Sequence, residues 1–405
     1  MIKRYFHNHI KRNFSIATIW INGGSDMDGN GKKGINQILC SLLTRGCEGF
    51  NNFALADFIE SYGAELNHDV LEDGILISIK SLNAHFNKLF PLIDLIINKP
   101  ILCKEQFKII KRESLNTIKK DKENPFNLCF EKWRKIVYLK HPYAFNSNGY
   151  EKDVLRITYE DVLSEYENFK TRNKYLISNN LLKKGNYLEF IDKNISKEKL
   201  ISKEYELNKE LRFVSFPHKS NQTIIMLGNQ TCSRINYDYL PLKVLESHLS
   251  FGMSSVLFKL FREDNGITYD VGVFNSFKKD NTPFLVYLSV SNKNALLAFE
   301  LLTKLWKELL YSLINAEEIY LAKEKLKSYF LIKNQSLDDI QQRKIQLISY
   351  GMSADADEDY LTKTDEISPL VIQQITNKYF KKPFLSITGD KKICSEIKKK
   401  WILNF

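Results

Sequence analysis

No stretch of this 405-residue chain approaches the ~18 consecutive apolar residues that carry a helix across a bilayer, so no membrane-spanning helix is expected. Proline and glycine are sparse, 9 and 17 residues, which argues against a disordered or low-complexity chain. The six cysteines (Cys40, Cys47, Cys103, Cys129, Cys232, Cys394) include no C-x-x-C pair, and most sit in apolar runs where a thiol acts as a small hydrophobe. That usage points to a reducing compartment, the cytoplasm. There is no G-x-S-x-G, P-loop or kinase signature. Histidine is scarce and scattered. His7 and His9 lie two apart and would share a face on a strand, yet no third ligand is near in sequence; His68, His85, His141, His218 and His248 read as surface or core residues.

What is present describes a packed globular protein. Hydrophobic residues make up 43% and charged residues 26%, and 26 Phe and 20 Tyr supply large buried areas. The length suits two domains of roughly 200 residues. The net charge of +11 is carried mainly by Lys spread over amphipathic segments such as 104–122 and 323–333. Solvated helix faces with some affinity for acidic partners account for it; nucleic-acid binding would need a concentrated basic stripe or a known module. The basic N-terminus leads into an apolar stretch, Phe14 to Ile21, that reads as a strand and not as a secretory signal.

The chain repeats itself. A strand over Ser15 to Asn22 is followed by the helix GINQILCSLLTRG and the helix NFALADFIESYG, closed by Gly63. The strands AELNHDV and GILISIKSL come next, then two long helices, about Asn83 to Asn98 and about Lys104 to Lys122. The second half runs in the same order. The strand QTIIMLG precedes the helices YLPLKVLESHLS and SSVLFKLFREDNG. The strands ITYDVGVFNSF and FLVYLSVS follow, then helices from about Asn294 to Tyr311 and Ala316 to Lys333. The caps Gly63 and Gly266 are 203 residues apart, and Phe107 and Tyr320 are 213 apart, as duplicated units with loop insertions would be. The charged segment ISKEKLISKEYELNKELRF reads as a linker, giving domains 1–201 and 202–405 with the boundary near Ser202. The expected fold is α+β: two homologous lobes, each a mainly antiparallel sheet with helices packed on one side, forming a clamshell around a ligand-sized cavity.

Several segments in this order, GGSDMDGNGKKGINQILCSLLTRG, SYGAELNHDVLEDG, KENPFNLCFEKW, HPYAFNSNGYEKDVLRITYEDV and above all FGMSSVLFKLFREDNGITYDVG, resemble the insulinase/mitochondrial-processing-peptidase superfamily of inverted-motif zinc peptidases. The resemblance runs from about Trp20 to Gly389. It implies that H-x-x-E-H should stand on the first helix, two His binding zinc and the Glu polarising water, with a downstream Glu completing the ligand set. The matching stretch here is Gln37-Ile38-Leu39-Cys40-Ser41, and the downstream Glu falls near Thr117, with Glu113 one turn earlier. An amide and two hydroxyls do not hold Zn²⁺ at neutral pH. Cys40 alone is far short of a ligand set and, with Cys47, reads as packing of a buried helix.

The second half keeps Arg262 and Tyr269 in LFREDNGITY. The resemblance implies that these two donors reach substrate or a developing oxyanion; an Arg in a last helical turn and a Tyr at a strand start are also ordinary structural choices. The family likeness further implies a substrate-binding subunit paired with a homologous zinc-bearing subunit, this chain holding no cofactor and the partner holding the zinc. Peptide would bind extended along a sheet edge. Two other readings fit the same resemblance: a structural subunit like the zinc-free core proteins of respiratory complexes, and a stand-alone peptide-binding homodimer. On none of them does the chain cut peptides by itself.

Overall fold

The computed structural model describes residues 2–6, 13–180 and 212–404, with backbone alone at 2–6 and at Tyr269. In chain order the first half forms β1 (Ile2–Phe6), β2 (Phe14–Asn22), α1 (Ile35–Leu43), α2 (Asn52–Ser61), β3 (Glu65–Val70) and β4 (Gly74–Leu82). Then come α3 (Asn83–Leu89), α4 (Pro91–Asn98), α5 (Lys104–Glu123), α6 (Pro125–Tyr138), α7 (Glu151–Arg156), α8 (Tyr159–Thr171) and β5 (Lys174–Ser178). The second half forms β6 (Phe213–Pro217), β7 (Gln222–Gln230), α9 (Tyr239–Ser250), α10 (Val256–Phe258), β8 (Thr268–Asn275) and β9 (Pro283–Ser291). It ends with α11 (Ala295–Tyr311), α12 (Ala316–Lys333), α13 (Leu337–Ser349), α14 (Ala356–Thr362), α15 (Pro369–Tyr379), β10 (Phe384–Gly389) and α16 (Lys391–Asn404).

The duplication is visible strand by strand. One five-stranded sheet has the order β1-β5-β2-β4-β3 and the other β6-β10-β7-β9-β8. In each, the first and last strands of the half pair in parallel and the remaining neighbours pair antiparallel. Each sheet therefore has a hairpin strand, β3 or β8, at one edge.

Side chains alternate across each sheet, so the two faces meet different helices. In the first sheet Ala17, Ile19 and Ile21 join Ile38, Leu39, Leu42 and Leu43 of α1 in one core. In the second, Ile225 and Leu227 of β7 and Val286 and Leu288 of β9 join α9 and α11. The opposite face of each sheet carries one helix from the other half of the sequence. On the first sheet it is α13: Thr18 donates to Gln341 Oε1 at 3.1 Å, Gln341 donates to the Ile16 carbonyl at 3.3 Å, and Trp20 packs edge-on against Tyr350. On the second it is α6. The Ser386 hydroxyl donates to the Cys129 carbonyl at 2.9 Å, the Trp133 indole donates to the Phe384 carbonyl at 3.3 Å, and Phe130 sits edge-on against Phe274.

Two compact units result, Met1–Lys120 with Phe145–Leu200 and Lys333–Ala354, and Asp121–Ala144 with Ile201–Ile332 and Asp355–Phe405. The expected linker and the boundary near Ser202 lie outside the described residues, as do His7 and His9. The two-lobe α+β architecture is as expected, and the exchange of α6 and α13 adds to it. One expected helix, Asn83 to Asn98, is two: α3 stops at Phe90, and Pro91, which has no N–H to donate, opens α4.

Candidate degenerate metal site and the second-half donor pair

The first helix is set in place by a buried carboxylate. Asp28 accepts from the Gly34 and Asn36 backbone N–H groups at 2.6 and 3.1 Å and from the Asn36 side chain at 2.8 Å, so it satisfies donors that the start of α1 would otherwise leave open. Arg172 donates to the other end of that amide at 2.9 Å and pairs with Glu165. Gly34 has φ +99°, and a Cβ on neighbouring Gly149 would lie 2.1 Å from the Lys33 carbonyl oxygen. The 146–150 loop therefore presses directly on the helix entrance, and this brings Asn148 to the site.

On α1 the four-residue spacing puts Gln37 and Ser41 on one face, half-buried, while Ile38, Leu39, Cys40 and Leu42 point into the core. Ile110, Glu113, Ser114 and Thr117 of α5 face the same space. With Asn148 these residues line a cavity of about 160 Å³. The positions where the family resemblance puts the two His ligands and the downstream Glu thus do converge: Gln37, Ser41 and Thr117 share one cavity. Their chemistry does not suit a metal. The one carboxylate, Glu113, is held by Arg45 at 3.2 Å, and Thr117 donates to the Glu113 carbonyl at 3.2 Å. Among the described residues no three His, Cys, Asp or Glu side chains gather where they could hold an ion. Zinc does not fit this donor set.

Cys40, in the position of the base, is fully buried, and desolvation with the nearby Asp69 charge pushes its thiol far above the ordinary range. It cannot take a proton from water. Cys47 is equally buried and its thiol is raised to about 11 by burial and by Glu48. One histidine from the scattered set does meet the site. His68 on β3 stands with Nε2 3.3 Å from Ser41 Oγ and Nδ1 3.4 Å from Thr44 Oγ1. Sequence reading missed this contact because 27 residues and a strand reversal separate the partners. The alternation of β3, which turns Leu66, His68 and Val70 toward α1, was the available signal.

The second-half pair occupies two irregularities. After α10 the helix widens over Lys259–Glu263, and Asp264 donates to the Lys259 carbonyl, an i to i+5 bond, at 2.9 Å. Arg262 is exposed on this turn with its guanidinium 5.1 Å from the centre of the Phe258 ring. Tyr269 lies in edge strand β8 where the register slips: Thr268 pairs with Val290 and Asp270 with Ser289, so Tyr269 is the extra residue of a β-bulge. Wide helical turns and bulges recur at functional sites.

The architecture is a duplicated α+β unit in which Gln37, Ser41 and Thr117 share one cavity beside the first sheet. The comparisons give this architecture its family. Residues 6–146 match the model of insulinase (peptidase family M16) and residues 179–326 that of the peptidase M16 inactive domain, and the chain belongs to the M16 family. Relatives described as uncharacterized zinc proteases occur in Rickettsia felis, 26% identical over 78% of this chain and 77% of the relative, and in Rickettsia bellii, 25% identical over 75% of each. Two solved structures share the fold. A peptidase M16 inactive domain from Pseudomonas fluorescens has TM-score 0.78 at 21% identity, covering 96% of this chain and 95% of that one. A protease from Helicobacter pylori has TM-score 0.82 at 17% identity, covering 94% and 95%.

Proposed function

We propose that this chain is the non-catalytic, substrate-binding subunit of a heterodimeric zinc metallopeptidase acting on peptides in the cytoplasm. Its partner is a homologous subunit with an intact H-x-x-E-H, and that partner holds the zinc. The observation that carries the reading is the asymmetry between the halves. The ligand positions, an amide and two hydroxyls, converge on a cavity that also holds the Arg-paired carboxylate of Glu113. Arg262 meanwhile stands exposed on a widened turn, and Tyr269 sits at the bulge of an edge strand. A guanidinium and a phenol are donors suited to a peptide carbonyl or an oxyanion. Among the described residues β3 and β8 have a strand neighbour on one side only, and an extended peptide would add on the other.

The test is reconstitution. The chain is mixed with its zinc-bearing homologue, and co-elution and cleavage of an unstructured peptide are measured. Arg262→Ala or Tyr269→Phe lowers turnover by ~10²-fold if an oxyanion donor is lost, without loss of the complex. Unchanged turnover in both variants favours the structural-subunit reading. A stable homodimer indifferent to the homologue favours a stand-alone peptide binder.

A further inference from the structure

The hydrogen bonds around His68 assign each proton. Thr44 Oγ1 donates to the Ser41 carbonyl at 3.1 Å, so its proton is committed and only its lone pairs face His68 Nδ1. The ring proton therefore belongs on Nδ1, and Nε2 is left as the acceptor for the Ser41 hydroxyl. A nucleophile, a base and a group that orients the base stand in one chain, Ser41–His68–Thr44, at distances that are slightly long, as they commonly are without a bound substrate. Burial disfavours the charged ring, Asp69 opposing this and Arg45 adding to it, so His68 is available as a neutral base. Ser41 opens onto the 160 Å³ cavity, and Gln37, one helical turn earlier on the same face, brings an amide donor to that space. His68 also lines a groove of about 290 Å³ with Asn67, Asp69 and Ser78.

We propose that Ser41 is an activated nucleophile and a covalent acyl-acceptor site for small activated carbonyl compounds such as aryl esters. Ser41 Oγ attacks the carbonyl carbon while its proton passes to His68 Nε2, and the oxyanion takes hydrogen bonds from the Gln37 amide. The carbonyl re-forms, the bond to the aryl oxygen breaks, and that oxygen receives the proton from His68. The products are acyl-Ser41 and the free phenol, with His68 restored. No metal, oxidant or partner is needed. The site is a point of modification on this chain alone, separate from the peptide-binding role above, and the two readings stand or fall independently.

The full-length chain is incubated with p-nitrophenyl acetate in the presence of EDTA. Released p-nitrophenol is followed by absorbance, and the acylated residue is located by peptide mass mapping. The expected result is a burst of about one phenol per chain and an acetyl group on Ser41. Ser41→Ala abolishes both. His68→Gln, which keeps a side chain able to bond Ser41, slows acetylation of Ser41 by ~10²-fold or more, because the base is gone while the hydroxyl remains. Ser41→Ala and His68→Gln are first shown to melt as the parent does; if Ser41→Ala fails to fold, the mapped site and the His68→Gln rate decide the matter. Acetylation confined to lysines, or Ser41 acetylated at the same rate in His68→Gln, overturns the proposal.

Discussion

Thr18 and Gln341 are 323 residues apart in sequence, yet the Thr18 hydroxyl donates to Gln341 Oε1 at 3.1 Å inside the first unit, where both side chains are buried. Gln341 also donates to the Ile16 carbonyl. This amide is the polar anchor of α13 on a sheet built by the other half of the chain, supported by Lys80–Asp338 at 3.0 Å and by Tyr350 donating to Asp73 at 2.7 Å.

The anchor predicts a particular mutational pattern. Gln341→Leu leaves the Thr18 hydroxyl and the Ile16 carbonyl without a partner and lowers unfolding free energy by about 2 kcal/mol. Adding Thr18→Val removes one of the orphaned groups and recovers part of that loss. A double-mutant cycle in urea checks it, and strictly additive losses would show that the two side chains do not interact.

The exchanged helix of the second unit rests on Trp133, which is fully buried. Trp133→Ala leaves a large void under α6 and costs about 3–5 kcal/mol, measured by chemical denaturation. Replacement of the exposed Lys140, just past the end of α6, by Ala stays within about 0.5 kcal/mol.

Asp28 makes stability pH-dependent. Burial raises its carboxyl from the ordinary 3.8 to about 6, against the lowering effect of its hydrogen bonds from Gly34 and Asn36 and of Lys33. Between about pH 4 and 6 the folded state then binds a proton that the unfolded chain has released, so stability falls as pH rises through that window. The full difference is about 3 kcal/mol. Asp28→Asn has no such group to titrate, and its unfolding free energy minus that of the parent changes by that order between pH 4 and 6. A constant difference across the window would sink the assignment.

The cavity predicts the response to zinc. Prolonged chelation leaves the melting temperature of the parent chain unchanged, and zinc added afterwards is retained only below stoichiometry. Gln37→His combined with Ser41→His and Thr117→Glu places two imidazoles and a carboxylate around the same space and retains one zinc per chain by elemental analysis. Failure of this variant to bind zinc while folding normally would show that the three positions do not share a centre.

Much of this molecule was legible in its residues. The order of strands and helices, the 203-residue offset of Gly63 and Gly266, and the wrong chemistry at Gln37, Cys40, Ser41 and Thr117 all follow from local pattern and side-chain type. Periodicity fixes which residues of a helix or strand share a face, because that is set by backbone geometry alone. The near-continuous apolar runs of β2 and β7 also carried a sign, unread, that both faces of those strands are covered.

Which helix covers the second face was not legible. α6 and α13 are amphipathic wherever they pack, and nothing local says that each belongs to the sheet of the opposite half. The same holds for Ser41, His68 and Thr44. Three ordinary polar residues become a hydrogen-bonded chain only because β3 runs back past the end of α1. Sequence decides what each side chain can do; only the path of the chain in space decides which of them meet.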